Sequence, residues 1–283
     1  MSAARYQPDV KSATLVSGIT LPYVESGPRD GLPVVFMHGY TDAWPSWQRV
    51  LPYLPNWMRA LALTQRGHGL ADKPSSGYSP QNMADDVADF MDAAQVGRAI
   101  IVGHSMGSVV AQHLAERHPH RVAGLVLVGA MRGYRGNPAV EELGTYIMAL
   151  TDAPDEAFIR EFQQSTVAQP VPHSFFEAMV AESKRVPGHV WRAAFLDFLA
   201  ASPAREMDVP TLITWGDRDA VSPHADQMEL VRMLTDARLL VYRGCGHSPH
   251  WEEPERFAAD LAAFCHECTR QAGRAQLIEK EAA

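Results

Sequence analysis

The sequence predicts an α/β fold in which a parallel sheet is covered by helices on both faces. Three observations carry that prediction. First, residues 33–38, 60–64, 99–102 and 121–129 form continuous apolar runs of strand length, as strands buried on both faces do. Second, helical patterns separate these runs, the rhythm of a parallel sheet. Third, one run, Ala99-Ile100-Ile101-Val102, enters Gly103-His104-Ser105-Met106-Gly107 and then a helical stripe of Val110, His113, Leu114 and Arg117. A strand that ends at Gly103 and a helix that begins near Met106 leave Ser105 on the corner, the setting of a nucleophile elbow.

In chain order, residues 15–16 and 21–25 read as short strands joined through Gly18, and 27–33 as turn material. Residues 44–54 read as a first helix. From 82 to 95 the apolar residues fall at 83, 87, 90, 91 and 94, the stripe of an amphipathic helix. Asp85 and Asp86 fall in its expected first turn, where the positive end of the dipole favours them. Between 131 and 207 the strand–helix rhythm stops. That stretch is helical and aromatic, with prolines at 138, 154, 170, 172, 187 and 203. It reads as four or so helices inserted between two sheet strands. The rhythm resumes with a strand at 211–215, a helix at 223–234, a strand at 238–242 and a last helix opened by Pro254, a good first helical residue.

Composition narrows the function classes. At 283 residues the chain forms one large domain or two small ones. Its net charge of -8 argues against nucleic acid or an anionic membrane as partner, because nothing would neutralise phosphates. Three cysteines, Cys245, Cys265 and Cys268, suit a reducing compartment. Cys265-x-x-Cys268 lies in a helical pattern without a second ligand pair, so packing is its expected role. Residues 1–11 hold no apolar leader, and the run at 122–131 is too short to span a bilayer. The expectation is a cytoplasmic protein acting on a small molecule, with no membrane or nucleic-acid partner, no cofactor and no metal.

Ligands of parallel α/β sheets bind at the carboxyl ends of the strands. Four clusters fall there: His38-Gly39, the Ser105 corner, Gly216-Asp217-Arg218-Asp219 and Gly246-His247. A serine hydroxyl needs a base to become a nucleophile near neutral pH. A histidine has a suitable pKa to take that proton and hand it on. A buried carboxylate fixes the imidazole tautomer. Either Asp217 or Asp219 can reach His247 from its loop. His38 reads as a structural residue bonded to loop backbone. His104 is expected to point away from the substrate and His250 to line the entrance.

The order Ser…Asp…His, with Gly-x-Ser-x-Gly between strand and helix, resembles the α/β-hydrolase fold superfamily over nearly the whole chain. Arg66-Gly67-His68-Gly69, Gly216-x-x-Asp219-x-x-x-Pro223 and Gly246-His247-x-Pro249-x-x-Glu252-x-Pro254-x-x-Phe257 match it too. The closest likeness is to the esterase, lactonase and perhydrolase-like branch with a helical cap. The resemblance implies a mostly parallel eight-stranded sheet, a core of residues 1–130 and 208–283, and a cap over 131–207. It makes Ser105 the nucleophile, His247 the base and the Met106 and Tyr40 backbone N–H groups the oxyanion hole. Its spacing to Pro223 favours Asp219 as the acid, with Asp217 capping the loop. Thr64 and Ala71 stand where many relatives carry Asp and Ser, which puts the hydrogen bonding of that loop in question.

The function expected from this is hydrolysis of carboxylic esters of apolar small molecules, with Trp44, Trp191, Phe195 and Trp215 as candidates for the pocket wall. Lactone opening, C–C bond hydrolysis and cofactor-free perhydrolysis use the same triad. Haloalkane dehalogenases and epoxide hydrolases carry Asp in place of Ser105, which disfavours both. A binding or signalling protein on the same fold is the alternative of another class, and the intact Ser, Asp and His argue against it.

Overall fold

The structure, a computed structural model, describes residues 8–205 and 207–281. Residues 1–7, part of the stretch read above as lacking a leader, lie outside the described residues. Eight strands form one sheet: β1 (Val10–Thr14), β2 (Thr20–Ser26), β3 (Leu32–Met37), β4 (Met58–Leu63), β5 (Ala99–His104), β6 (Val122–Val128), β7 (Thr211–Gly216) and β8 (Ala237–Tyr242). Their spatial order is β1-β2-β4-β3-β5-β6-β7-β8. The pairs β1–β2 and β2–β4 are antiparallel, and every later pair is parallel.

The central strands are apolar throughout because both faces are covered. Successive side chains of a strand point to opposite faces. Val35, Met37, Ile101, Leu125 and Leu127 accordingly join one core, with Met83, Phe90, Val110 and Leu114. Val34, Phe36, Ile100, Val102, Val126 and Val128 join the other, with Trp47, Phe257, Leu261 and Phe264. Each such side chain, removed from water, stabilises the fold by about 1.5–3 kcal/mol before entropy is counted.

The helices are α1 (Pro80–Ala93), α2 (Met106–Arg117), α3 (Pro138–Ala149), α4 (Glu156–Ser165), α5 (His173–Lys184), α6 (Gly188–Ala200), α7 (His224–Met233), α8 (Pro249–Glu252) and α9 (Pro254–Glu281). Helix α1 starts earlier than its apolar stripe. Ser79 caps it by accepting from the Asn82 N–H at 3.2 Å, and Pro80 opens it. Asp85 and Asp86 therefore stand in the second turn rather than the first. They serve as ion-pair partners instead, Asp85 for Arg117 and Asp86 for Arg66.

Two other expectations need correction. The first strand is 10–14, and residues 15–16 form the hairpin tip. Gly18, at φ +83°, closes a tight turn onto the Leu15 carbonyl, and Val16 is almost fully exposed. Residues 44–54 form two 3-10 turns, Trp44–Trp47 and Leu51–Tyr53, not one helix. Pro52 would lack the N–H an α-helix needs there and would clash with the preceding turn.

Helices α3 to α6 lie between β6 and β7, as the loss of rhythm predicts. Pro138 and Pro154 stand at or just before helix starts, and so do Pro172 and Pro187. Asn137 caps α3 and Asp155 caps α4 through their side-chain oxygens. Val190, Trp191, Phe195 and Phe198 of α6 continue the core on the α1–α2 side of the sheet.

Candidate active site

The elbow is strained where the sequence places it. Ser105 sits between β5 and α2 at φ +50°, ψ -114°, a backbone state unfavourable for a non-glycine residue. Such strain costs on the order of 1–3 kcal/mol and persists only where its surroundings enforce it. The Ser105 N–H donates to the Val128 carbonyl at 2.9 Å, and Ser108 Oγ donates to the Ser105 carbonyl at 2.6 Å. Both elbow glycines sit against backbone: a Cβ on Gly107 would stand 2.6 Å from the Met37 carbonyl oxygen.

His247 and Asp219 meet as the sequence order predicts. His247 Nδ1 donates to Asp219 Oδ2 at 2.9 Å, and both side chains are buried. Asp219 Oδ1 accepts from the Val221 and Ser222 N–H groups, each at 2.8 Å. That fixes the carboxylate in one orientation. Asp217 instead accepts from the Gly244 N–H at 2.6 Å and ties down the neighbouring loop. With Nδ1 donating, His247 Nε2 keeps its lone pair. Nε2 is buried and has no hydrogen-bond partner among the described residues. Ser105 and His247 line the same cavity.

Among the described residues, neither the Tyr40 nor the Met106 backbone N–H meets an acceptor. Met106 opens α2, where such N–H groups are unpaired and the dipole favours negative charge. Tyr40 is held by its loop. His38 Nδ1 donates to the Gly39 carbonyl at 2.8 Å, and His38 Nε2 accepts from the Gln65 N–H at 3.0 Å. Both bonds need neutral imidazole, and burial holds the His38 pKa well below its ordinary value. Thr41 adopts φ +66° and is pinned by Ser183 Oγ at 2.9 Å. Tyr40 Oη donates to the Trp191 carbonyl at 2.5 Å.

The loop after β4 compensates for Thr64 and Ala71. Arg66 forms a two-pronged pair with Asp86, and the Gly67 N–H donates to the Asp72 carbonyl at 2.8 Å. Thr64 Oγ1 accepts from the Trp44 N–H at 3.2 Å. The loop is thus held by Arg66, by the Asp72 carbonyl and by Thr64 itself.

The cavity wall differs from the four aromatic candidates. Besides Ser105 and His247, its apolar lining includes Met131, Tyr134, Leu143 and Phe162. Trp44, Trp191, Phe195 and Trp215 do not line it. Trp44 packs on the α9 side of the sheet. Trp191 sits behind Tyr40 and Phe162, with ring centroids 5.1 and 5.7 Å away. Phe195 packs on Tyr134 and against Gly144. Trp215 is held by its Nε1 donating to the Ser222 carbonyl at 2.7 Å.

Two histidine expectations reverse. His104 lines the cavity, and His250 is fully buried on the Trp47 ring, 4.4 Å away. Sequence reasoning passed over Asp42 and Gln163, which also line the cavity. Asp42 Oδ1 accepts from Gln163 Nε2 at 2.9 Å, and burial pushes its pKa up to about 7. Asp42 follows Gly39 in a loop at a strand's carboxyl end, a position that could have flagged it. Nothing local marks Gln163. Among the described residues no helix is long and apolar enough to cross a membrane, and no group of three or more His, Cys, Asp or Glu is arranged to hold a metal ion.

A parallel sheet with a strained serine between strand and helix, and an Asp–His pair at later strand ends, defines the α/β hydrolases as a class. The chain belongs to the alpha/beta hydrolase fold family, whose profile matches residues 33–254. It is 32% identical to a non-heme chloroperoxidase of Streptomyces lividans, over 89% of this chain and 98% of that one. It is 29% identical to a 2-hydroxymuconate semialdehyde hydrolase of Pseudomonas sp. (strain CF600), over 94% of this chain and 98% of that one. Among solved structures, an esterase from Rhodococcus sp. ECU1013 is similar at a TM-score of 0.79 and 28% identity, covering 90% of this chain and 98% of that one.

Proposed function

We propose that the chain is a serine hydrolase that cleaves carboxylic esters of apolar small molecules through an acyl-enzyme on Ser105. The observation that carries this reading is the buried His247–Asp219 pair at 2.9 Å, whose free Nε2 shares a cavity with the strained Ser105. His247 Nε2 takes the Ser105 hydroxyl proton as Oγ attacks the ester carbonyl. Asp219 holds the tautomer and stabilises the imidazolium. The negative oxygen is received by the Tyr40 and Met106 N–H groups, each worth about 10²–10³ in rate by analogy with other oxyanion holes. His247 returns the proton to the departing alcohol. Water, deprotonated by the same nitrogen, then releases the acid. Helices α3 to α6 act as a cap that excludes water, and α3 and α4 supply Val140, Leu143 and Phe162 to the apolar wall.

The relative named as a 2-hydroxymuconate semialdehyde hydrolase favours C–C bond hydrolysis as a second reading. That substrate carries a carboxylate, yet no Arg or Lys lines the cavity among the described residues. The ester reading fits an apolar wall better. Steady-state hydrolysis of p-nitrophenyl butyrate by the wild type and by Ser105→Ala tests it. Turnover that survives the substitution removes Ser105 from the reaction.

A further inference from the structure

The cavity holds a second set of buried polar groups that the proposed reaction does not use. Asp42, His104 and Gln163 are each at most 2% exposed, and all three line it. Gln163 Nε2 is occupied: it donates to Asp42 Oδ1 at 2.9 Å and to Ser183 Oγ at 2.8 Å. The Asp42 carboxyl thereby orients the amide, because it needs N–H groups facing it. Gln163 Oε1 is left buried with no partner among the described residues. His104 Nε2 lies 3.2 Å from the His247 carbonyl, an acceptor, so Nε2 carries the proton and Nδ1 is a bare acceptor. Among the described residues His104 Nδ1 is likewise buried without a partner, and it lies 4.0 Å from Asp42 Oδ2.

His104 Nδ1 and Asp42 Oδ2 lie together beside Gly39, and Gln163 lines the same cavity. A Cβ on Gly39 would stand 2.7 Å from His104 Nδ1 and 3.1 Å from Asp42 Oδ2, so only glycine leaves the space beside them open. The Thr41–Ser183–Gln163 hydrogen bonds explain why Asp42 Oδ1 and Gln163 Nε2 are where they are. They do not explain the two unpaired acceptors. A buried acceptor left unsatisfied destabilises the fold.

We propose that Asp42, His104 and Gln163 form a recognition site for a hydroxyl carried by the ester close to its scissile carbonyl. The hydroxyl donates to one acceptor of the set, and the others exclude substrates that place an acceptor or an anion there. Sites built to hydrogen-bond a substrate hydroxyl discriminate against the analogue that lacks it far more strongly than apolar pockets discriminate by size. The inference rests on the ester-hydrolase reading and adds a substrate class to it.

The test compares kcat/KM for ethyl butyrate with those for ethyl 2-hydroxybutyrate, ethyl 3-hydroxybutyrate and 2-hydroxyethyl butyrate, which place the hydroxyl on either side of the ester. The expected result is that one hydroxy ester exceeds ethyl butyrate by tenfold or more, and that Gln163→Met brings the ratio toward one. A wild-type ratio near or below one for all three overturns the proposal while leaving ester hydrolysis intact, and it requires no variant to fold. Where no ester is turned over at all, the ester reading itself fails. NMR titration of Ser105→Ala protein with the same four esters then decides the recognition site alone: tighter binding of a hydroxy ester supports it, and equal binding overturns it.

Discussion

A Cβ placed on Gly103 would stand 2.2 Å from the carbonyl oxygen of Gly107, so the two glycines of the elbow keep β5 and α2 in backbone contact. Gly103→Ala must push that contact apart. Overpacking of this kind costs about 1–3 kcal/mol, and an ångström of displacement at a nucleophile costs about 10² in rate. The variant is expected to melt lower and to lose at least that much kcat. Gly97 has nothing within 4 Å of its Cβ position, so Gly97→Ala should stay within about 0.5 kcal/mol of wild type. Thermal melts and ester kinetics on the two variants check the contrast.

The two loop aspartates separate by chemistry. The Asp219 carboxylate contacts His247, whereas the Asp217 carboxylate accepts from the Gly244 N–H of the neighbouring loop. Asp219→Asn should lower kcat by about 10⁴, the scale set when a triad carboxylate becomes an amide. Asp217→Asn should keep kcat within a few-fold and lose some thermal stability. Equal losses in both variants would remove the acid assignment.

Acid should destabilise the fold through its buried histidines. Burial lowers the pKa of His38, His104 and His250 well below the ordinary value, and that of His68 to about 4. A histidine depressed in the folded state contributes stability that is fully present above the unfolded value of 6.5 and is lost as pH falls toward the folded value. Each contributes a slope of up to about 1.4 kcal/mol per pH unit in that window. Asp42 acts oppositely. Its folded pKa is raised to about 7, so between 3.8 and 7 it favours the folded state more as pH falls. Asp86, Glu182, Asp226 and Glu252 are raised as well, whereas Glu25 and Asp85 are lowered, so the carboxyls oppose one another while the buried imidazoles all shift the same way and set the slope. The melting temperature should therefore fall from pH 7.5 to pH 5, and Asp42→Asn should steepen the fall. Melts across that range read both slopes.

The cavity of about 60 Å³ is well below the roughly 300–1,000 Å³ of sites that take drug-sized ligands. Acyl chains longer than butyryl need the helices around it to yield. The ratio of kcat/KM for p-nitrophenyl butyrate over the decanoate should exceed tenfold, and Leu143→Ala, which trims the wall, should narrow it. A flat chain-length profile in the wild type would contradict a cavity this small.

Much of this was legible in the sequence where the physics is local. The parallel strands are continuous apolar runs because both faces are buried, and Gly103-His104-Ser105-Met106-Gly107 specifies its own turn. β1 was misplaced because an edge strand buries little: Ala13 is its one buried residue. The pocket wall was misread because composition names the aromatics of an inserted helix but not the face that meets the cavity. Trp191 and Phe195 turned to the core, while Leu143 and Phe162 reached the site. Gln163 meets Asp42 across 121 residues of chain, a contact that only the folded backbone creates.

As the nucleophile that carries the acyl group, Ser105 should also take a phosphonyl group. Mass spectrometry after treatment with a p-nitrophenyl phosphonate ester tests it most directly. The predicted result is one phosphonyl adduct on the peptide that contains Ser105, no adduct in Ser105→Ala, and labelling slowed at least about 10²-fold in His247→Ala. Ester turnover by protein whose Ser105 remains unlabelled, or undiminished turnover by Ser105→Ala, would contradict it.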